Sequence, residues 1–235
     1  MRVSVIIPTH NEAQAIGRVL ADLPPDCITE VIVVDSNSTD GTAEVAESKG
    51  ARVIRELRRG YGRACLTGLA NTNSPDVVVF LDGDYSDRPS ELPTLLAPIL
   101  DGRADITLGS RLTRKENAGV LPWHQSLGNR FAASVIRHLY GLKITDLGPF
   151  RAARAEVLHA LELEELTYGW AVEMILKGGL AGFRILEVPV SYYPRIGKSK
   201  ISGTVRGTLG AGWFILSRIV RYYFRRRSTG MPRPA

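Results

Sequence analysis

The sequence predicts an α/β fold: a Rossmann-like, mostly parallel sheet flanked by helices, followed by a basic amphipathic C-terminal helix. Three observations predict it. Val3 to Ile7, Val31 to Val34 and Val77 to Leu81 are short apolar runs rich in β-branched residues, the pattern of strands buried on both faces. Helical patterns separate these runs at short intervals, as crossovers between parallel strands require. Polar residues then gather where the strands end, at the edge where open α/β sheets hold ligands.

Taken in order, Val3 to Ile7 is a strand closed by Pro8-Thr9-His10-Asn11-Glu12. Ala15, Ile16, Val19, Leu20 and Leu23 follow at helical spacing until Pro24-Pro25. Val31 to Val34 is the second strand and ends in Asp35. The polar turn Ser36 to Thr42 opens a helix to about Ser48, and Ala51 to Ile54 is a third strand. Arg58-Arg59-Gly60-Tyr61-Gly62-Arg63 opens a helix through Ala70. After the strand Val77 to Leu81, Pro89 to Leu100 is helical. Asp105 to Leu108 is a further strand, ending in Gly109-Ser110-Arg111.

The stretch after Val77 carries the sharpest chemistry. Its apolar run stops at Asp82-Gly83-Asp84-Tyr85-Ser86-Asp87. Asp82 and Asp84, one residue apart, can aim oxygens at one hard cation, or can form a solvated polar turn. Asp87, ahead of Pro89 and Glu91, fits a helix cap. Four strand ends carry polar cargo (Thr9 to Glu12, Asp35, Asp82 to Asp84, Ser110-Arg111), and a doubly wound sheet brings such ends to one crevice. No Gly-x-Gly-x-x-Gly follows the first strand and no Gly-x-x-x-x-Gly-Lys-Ser/Thr occurs, which excludes the dinucleotide fingerprint and the P-loop. Without a glycine cradle, a diphosphate needs Mg2+ or Mn2+. That combination points to group transfer from a nucleoside diphosphate conjugate.

Composition narrows the setting. The chain has 235 residues and a net charge of +6. Its ten Lys and Arg beyond Glu187 meet no Asp or Glu there, so the body is mildly acidic and the tail basic. The two cysteines, Cys27 and Cys65, have no metal or redox spacing, which implies a reducing compartment. No apolar run approaches the ~18–20 residues of a membrane span. The expected location is cytoplasmic, peripheral on the inner face of the membrane.

Val5-Ile6-Ile7-Pro8-Thr9-His10-Asn11-Glu12, Val34-Asp35-Ser36-Asn37-Ser38-Thr39-Asp40-Gly41-Thr42 and Asp82-Gly83-Asp84 resemble the family 2 inverting glycosyltransferases of GT-A fold. Gly109-Ser110-Arg111, Gly128-Asn129-Arg130, Asp146 to Arg151, Glu187 to Val190 and Arg195 to Lys200 are similar to the dolichyl and polyprenyl-phosphate sugar synthases within that family. The resemblance runs from about Val3 to Ser202. It implies donor binding by Pro8, Thr9, Asn11, Glu12, Asp35, Gly60, Asp82 and Asp84, with Asp82 and Asp84 holding the metal and diphosphate. Two departures stand out: Ser36 follows Asp35 where the family often has Asp, and Ser86 replaces a glutamine of the mannose synthases.

The second half offers cations instead. Arg111, Arg130, Arg151 and Arg195 fall at turns or element ends, and with Lys200 they match the family's pocket for an acceptor phosphate. Phe131 to Tyr140 reads as a helix, so Arg130 would sit at its N-terminus, where a cation opposes the helix dipole unless an anion is bound. Asp84, Asp146, Arg130 and Glu173 are the candidate catalytic residues. Asp146 would orient the acceptor or Arg130. Glu173 could be a general base for a hydroxyl acceptor or a structural residue on a helix face. Lys198-Ser199-Lys200 reads as a basic lid.

Val205 to Phe224 then alternates apolar and aromatic residues with arginines and ends in Arg225-Arg226-Arg227. This suits an interfacial helix on anionic lipid, or a helix packed on the core or on a homodimer partner. The expected organisation is a glycosyltransferase domain over 1–202 (nucleotide-sugar half 1–111, acceptor half 112–202), then the helix and tail over 203–235. The expected partners are a nucleotide-sugar donor, a polyprenyl phosphate and a membrane surface, with no nucleic acid. A soluble phosphorylated acceptor is the alternative. A sugar-phosphate nucleotidyltransferase would open with a glycine- and arginine-rich loop after its first strand, which Pro8 to Glu12 does not resemble.

Overall fold

β1 (Val3–Thr9) and β4 (Val77–Phe80) lie side by side in the middle of the sheet, every residue of β4 buried. The computed structural model describes residues 1–117, 119–197 and 215–224. Within them, β2 (Glu30–Asp35), β3 (Arg52–Arg55), β5 (Ile106–Ser110), β6 (Arg151–Arg154) and β7 (Ile185–Pro189) complete seven strands in the order β3-β2-β1-β4-β6-β5-β7. β1 pairs in parallel with β2 and β4, and β5 with β7. Among the described strands, β6 alone runs antiparallel to its neighbours. The sheet order reverses between β1 and β4, the switch point at which such sheets open a crevice.

Both faces are covered, which is why the central strands are apolar without alternation. α1 (Ala13–Ala21), α2 (Thr42–Ser48) and α4 (Leu92–Leu100) pack Ile16, Ala46 and Leu95 against Val5, Ile7, Val33 and Val79. On the other face, α3 (Tyr61–Ala70), α5 (Trp123–Tyr140), α6 (Ala155–Leu161), α7 (Trp170–Leu180) and a helix over 215–224 pack Cys65, Ile136, Leu158, Met174 and Ile219 against Ile6, Val34, Val78 and Phe80. The Trp170 and Phe80 rings meet edge-on at 4.5 Å.

Two features add to the sequence reading and one changes it. β6, Arg-Ala-Ala-Arg, carries no strand signal, yet Ala152 and Ala153 are fully buried and paired on both sides, so tertiary pairing overrides propensity. α5 starts at Trp123, immediately after Pro122, which puts Arg130 in the middle of the helix. The dipole argument for an anion at Arg130 therefore fails. The helix over 215–224 docks through fully buried Ile219, whose carbonyl accepts a hydrogen bond from Tyr140, while Val220 and Phe224 remain exposed. Lys198, Lys200, Trp213, Phe214 and Arg225 to Arg227 lie outside the described residues.

Candidate active site

Close approach of β1 and β4 creates the site. Gly83 packs on the end of β1 so tightly that a Cβ there would fall 2.7 Å from Thr9 Cγ2. Beside it, Ser38 Oγ accepts from Asn11 N, Thr42 Oγ1 from Glu12 N and Asn11 Oδ1 from Thr39 N, at 2.8, 2.8 and 2.9 Å. The turns after β1 and β2 are thereby stitched together. The Asp35 carboxylate faces its own turn, accepting from Ser38 N at 3.1 Å and from the Ser38 hydroxyl. Asn11 and Asp35 thus stand behind the wall that the sequence placed them in.

The wall encloses a cavity of about 230 Å³ that brings together Pro8, Thr9, Glu12, Gly60, Asp82, Asp84 and Arg195. His10 and Ser36 line it as well, with Arg59, Tyr61 and Tyr168, to which sequence reasoning assigned no role. The glycine-containing helix start Arg58 to Arg63 was the signal for Arg59 and Tyr61; Tyr168 has none. Asp82 Oδ1 is buried without a hydrogen-bond partner. Burial first, then the charge of Asp84, push the Asp82 carboxyl up to about 7. Asp84 Oδ1 accepts from Ser86 N at 2.9 Å, and its Oδ2 pairs with Arg195 Nη2 at 2.7 Å. Two adjacent carboxylates, one with an orphaned oxygen, fit a hard divalent cation that takes its other ligands from water and phosphate. Among the described residues no cluster of three or more His, Cys, Asp or Glu forms a self-sufficient metal cage.

Arg195 reaches Asp84 because two loops pair. Tyr193 N donates to Ser86 O at 2.9 Å, Ile196 N to Asp84 O at 3.0 Å, and Asp87 bridges Tyr192. This pairing also corrects the reading of Asp87. It makes no capping hydrogen bond. Its carboxylate is fully buried with both oxygens unpartnered, and burial together with the Asp82 charge pushes it well above the usual range.

The second half separates the candidate arginines. Arg111 forms a bidentate pair with Asp146, Nε to Oδ2 at 2.8 Å and Nη2 to Oδ1 at 2.9 Å, and lies over the Tyr192 ring. Asp146 Oδ1 also accepts from Asn129 Nδ2 at 2.7 Å and from Leu147 N. Burial would raise the Asp146 carboxyl, but the Arg111 charge and these donors hold it below its ordinary value. Asp146 orients Arg111, where the sequence suggested Arg130. Arg111, Arg114, Lys115 and Arg130 line a second cavity of about 350 Å³.

Arg151 and Glu173 leave the site. Arg151 is fully buried, and its guanidinium donates to the carbonyls of Ala171, Leu147 and Gly148, so it braces the chain before β6 and is closed to an acceptor phosphate. Glu173 accepts from the backbone of Glu164 and Glu165 and from Tyr222 Oη, and pairs with Lys177 at 2.9 Å. Burial opposes its charge, but these donors keep it below the usual range. A carboxylate so engaged is a poor general base, and Glu173 is a structural residue.

Carboxylates at the switch point of a mostly parallel sheet, facing a cavity built from strand ends, define a GT-A glycosyltransferase. The chain belongs to glycosyl transferase family 2, whose model matches residues 4–161. It is 37% identical to a dolichyl-phosphate hexose transferase of Haloferax volcanii, over 85% of this chain and 86% of that one. It is 35% identical to an undecaprenyl-phosphate mannosyltransferase of Micrococcus luteus, over 88% and 90%. Among solved structures it resembles glucosyl-3-phosphoglycerate synthase of Mycobacterium tuberculosis in complex with Mn2+, uridine diphosphate and phosphoglyceric acid. That match has a TM-score of 0.77 and 25% identity, and covers 94% of this chain and 78% of that one.

Proposed function

We propose that this enzyme transfers a sugar from a nucleoside-diphosphate donor (GDP-mannose or a UDP-sugar) to a polyprenyl or dolichyl phosphate at the cytoplasmic membrane face. One observation carries the choice of acceptor: the helix that lines the cation-rich cavity also carries an exposed apolar stripe. Ser126 and Arg130 of α5 line the cavity, while Trp123, Leu127 and Phe131 recur every four residues on the same helix, the last two about 100° round from Ser126 and Arg130. These three are 77%, 61% and 57% exposed. A phosphate with a long apolar tail matches that pairing of surfaces, and an exposed Trp on a helix that carries arginines suits a membrane interface. No helix among the described residues is long and apolar enough to cross a membrane.

In this reading residues 1–111 chiefly serve the donor and 112–202 the acceptor, with Arg111 turned to the acceptor and Tyr168 and Arg195 reaching back to the donor cavity. Pro8, Thr9, Glu12 and Gly60 surround the nucleotide, with Asn11 and Asp35 fixing the turns around it. Asp82 and Asp84 hold Mg2+ or Mn2+, which when bound stabilises the negative charge of the departing diphosphate. Arg195, paired with Asp84, adds a guanidinium beside that charge. Arg111, braced by Asp146, receives the acceptor phosphate with Arg130. A phosphate monoester is already anionic at neutral pH, so no side chain need remove a proton. The protein's task is to align one in-line displacement with inversion and to exclude water. The firm ionisation of Asp146 agrees with this, because it orients a cation instead of taking a proton.

Incubation with a panel of labelled nucleotide sugars, with and without polyprenyl phosphate and divalent metal, tests the proposal. Label should enter an organic-extractable product only when lipid phosphate and metal are both present. With a phosphorylated small acid added as competing acceptor, a water-soluble product formed only in its presence would favour the second reading, which the phosphoglyceric acid in the solved relative supports; water-soluble label without it is donor hydrolysis.

A further inference from the structure

One part of the donor cavity's lining comes from outside the strand ends. Gly60, Tyr61 and Tyr168 supply it, from the start of α3 and the loop before α7. That loop is bonded to α3 directly: Gly62 N donates to Thr167 O at 3.2 Å and Arg63 N to Leu166 O at 3.0 Å. The contact leaves no space, since a Cβ at Gly62 would fall inside the Glu165 carbonyl and 2.8 Å from Trp170 Cβ. The loop therefore sets where Gly60 and Tyr61 stand.

What sets the loop is the helix over 215–224. Glu164 N and Glu165 N donate to the Glu173 carboxylate, at 3.1 and 2.8 Å to Oε2. Tyr222 donates to Glu173 Oε1 at 2.8 Å, and Arg218 Nε pairs with Glu165 Oε2 at 3.0 Å. The Arg218 and Glu165 side chains are 27% and 11% exposed, so the pair is partly shielded from solvent. Pairs of this kind position as well as attract, since a guanidinium fixes the direction of the carboxylate it meets.

We infer that Arg218 and Tyr222 are positioning residues for donor binding, acting through Glu165, Glu173 and the loop 164–168. The helix over 215–224 then tunes affinity for the nucleotide although none of its residues lines the donor cavity. This rests on the reading of that cavity as the donor site. It gives Glu173 a role at one remove, as the junction between helix and loop.

The test uses the full chain and two probes, UDP and GDP, each with Mn2+, titrated by calorimetry. Arg218→Glu should weaken the nucleotide that wild type binds at least tenfold, and Glu165→Arg in the same chain should restore most of it. Tyr222→Phe, which removes one hydroxyl, should weaken it about threefold to fivefold with an unchanged melting temperature. In turnover assays the donor KM should rise while kcat at saturating donor and the acceptor KM stay within twofold. Unchanged nucleotide affinity in Arg218→Glu and Tyr222→Phe would overturn the inference alone. So would a fall in kcat with donor KM unmoved, or a double variant no better than the single. A wild-type chain that binds neither nucleotide would overturn the donor reading and this inference with it.

Discussion

The crevice between β1 and β4 and the arginine-rich segment from Arg111 to Arg195 solve opposite problems. The first holds negative charge with an orphaned oxygen, Asp82 Oδ1, and its acidic edge is built from the residues that directly follow β1 and β4. The second holds positive charge that is largely partnered: Arg111 on Asp146 and the Arg151 Nη groups on backbone carbonyls, while Arg195 reaches back to Asp84 in the crevice. An unsatisfied carboxylate beside a second one is a site waiting for a cation. A satisfied arginine is either structural or aimed by its partner, and only its remaining donors and exposure tell which. Arg111 keeps a face toward the second cavity; Arg151 keeps none.

The largest effect should come from breaking the acidic side. Asp84→Asn and Asp82→Asn should each cut transfer about 10³-fold, near 4 kcal/mol at about 1.36 kcal/mol per decade. Metal-dependent nucleotide binding should vanish while the circular dichroism spectrum holds. Retained binding would disconnect these carboxylates from the diphosphate.

On the basic side the expected first loss is stability. Asp146→Ala strands the Arg111 guanidinium in a nearly dry site, which for a broken buried pair costs about 3–5 kcal/mol. Urea denaturation measures it. A change below about 1 kcal/mol would mean that Arg111 finds water instead, and would remove Asp146 as its brace.

A smaller difference is electrostatic. Asp82 titrates at about 7 in the folded chain and near the ordinary 3.8 of an aspartate when unfolded. The folded state therefore binds an extra proton here and another on Asp87, which is also pushed well above the usual range, so metal-free stability should fall as pH rises from about 4 to 7. Asp82→Asn should make this part of the profile less steep. Since a cation must displace the proton, metal affinity should weaken up to about tenfold per pH unit below 7. Denaturation and metal titration between about pH 5 and 8 check both signs.

The smallest effect on the fold should come from the α5 stripe. Leu127→Glu with Phe131→Glu should leave the melting temperature unmoved, because both side chains are exposed. It should weaken binding to vesicles containing anionic lipid by about tenfold or more, near 1.4 kcal/mol. Equal vesicle binding would take the membrane away from α5.

These contrasts explain how much of the molecule could be read in the sequence. The acidic crevice was legible because its chemistry is local: a buried strand must stop, and the residues next to its end in sequence are also next to it in space. Thr9, Glu12, Asp82 and Asp84 were found that way. The arginine segment was not, because its residues are assigned by partners far along the chain. Asp146 lies 35 residues from Arg111, and Tyr222 lies 49 from Glu173. Arg130 misled for a different reason: the apolar spacing after Phe131 hid the earlier start at Trp123, which Pro122 could have signalled. Asp87 looked like a cap because capping is what an Asp before a Pro usually does. The bridge to Tyr192 carries it inward instead.

The division of labour between the two regions is the central claim, and Arg111→Gln tests it most directly. The dissociation constant for UDP or GDP with Mn2+ and the KM for polyprenyl phosphate would be measured on the same preparation. The account predicts an acceptor KM raised more than tenfold with nucleotide affinity within twofold of wild type. Nucleotide affinity lost in step with the acceptor KM would contradict it, because one site would then be holding both substrates.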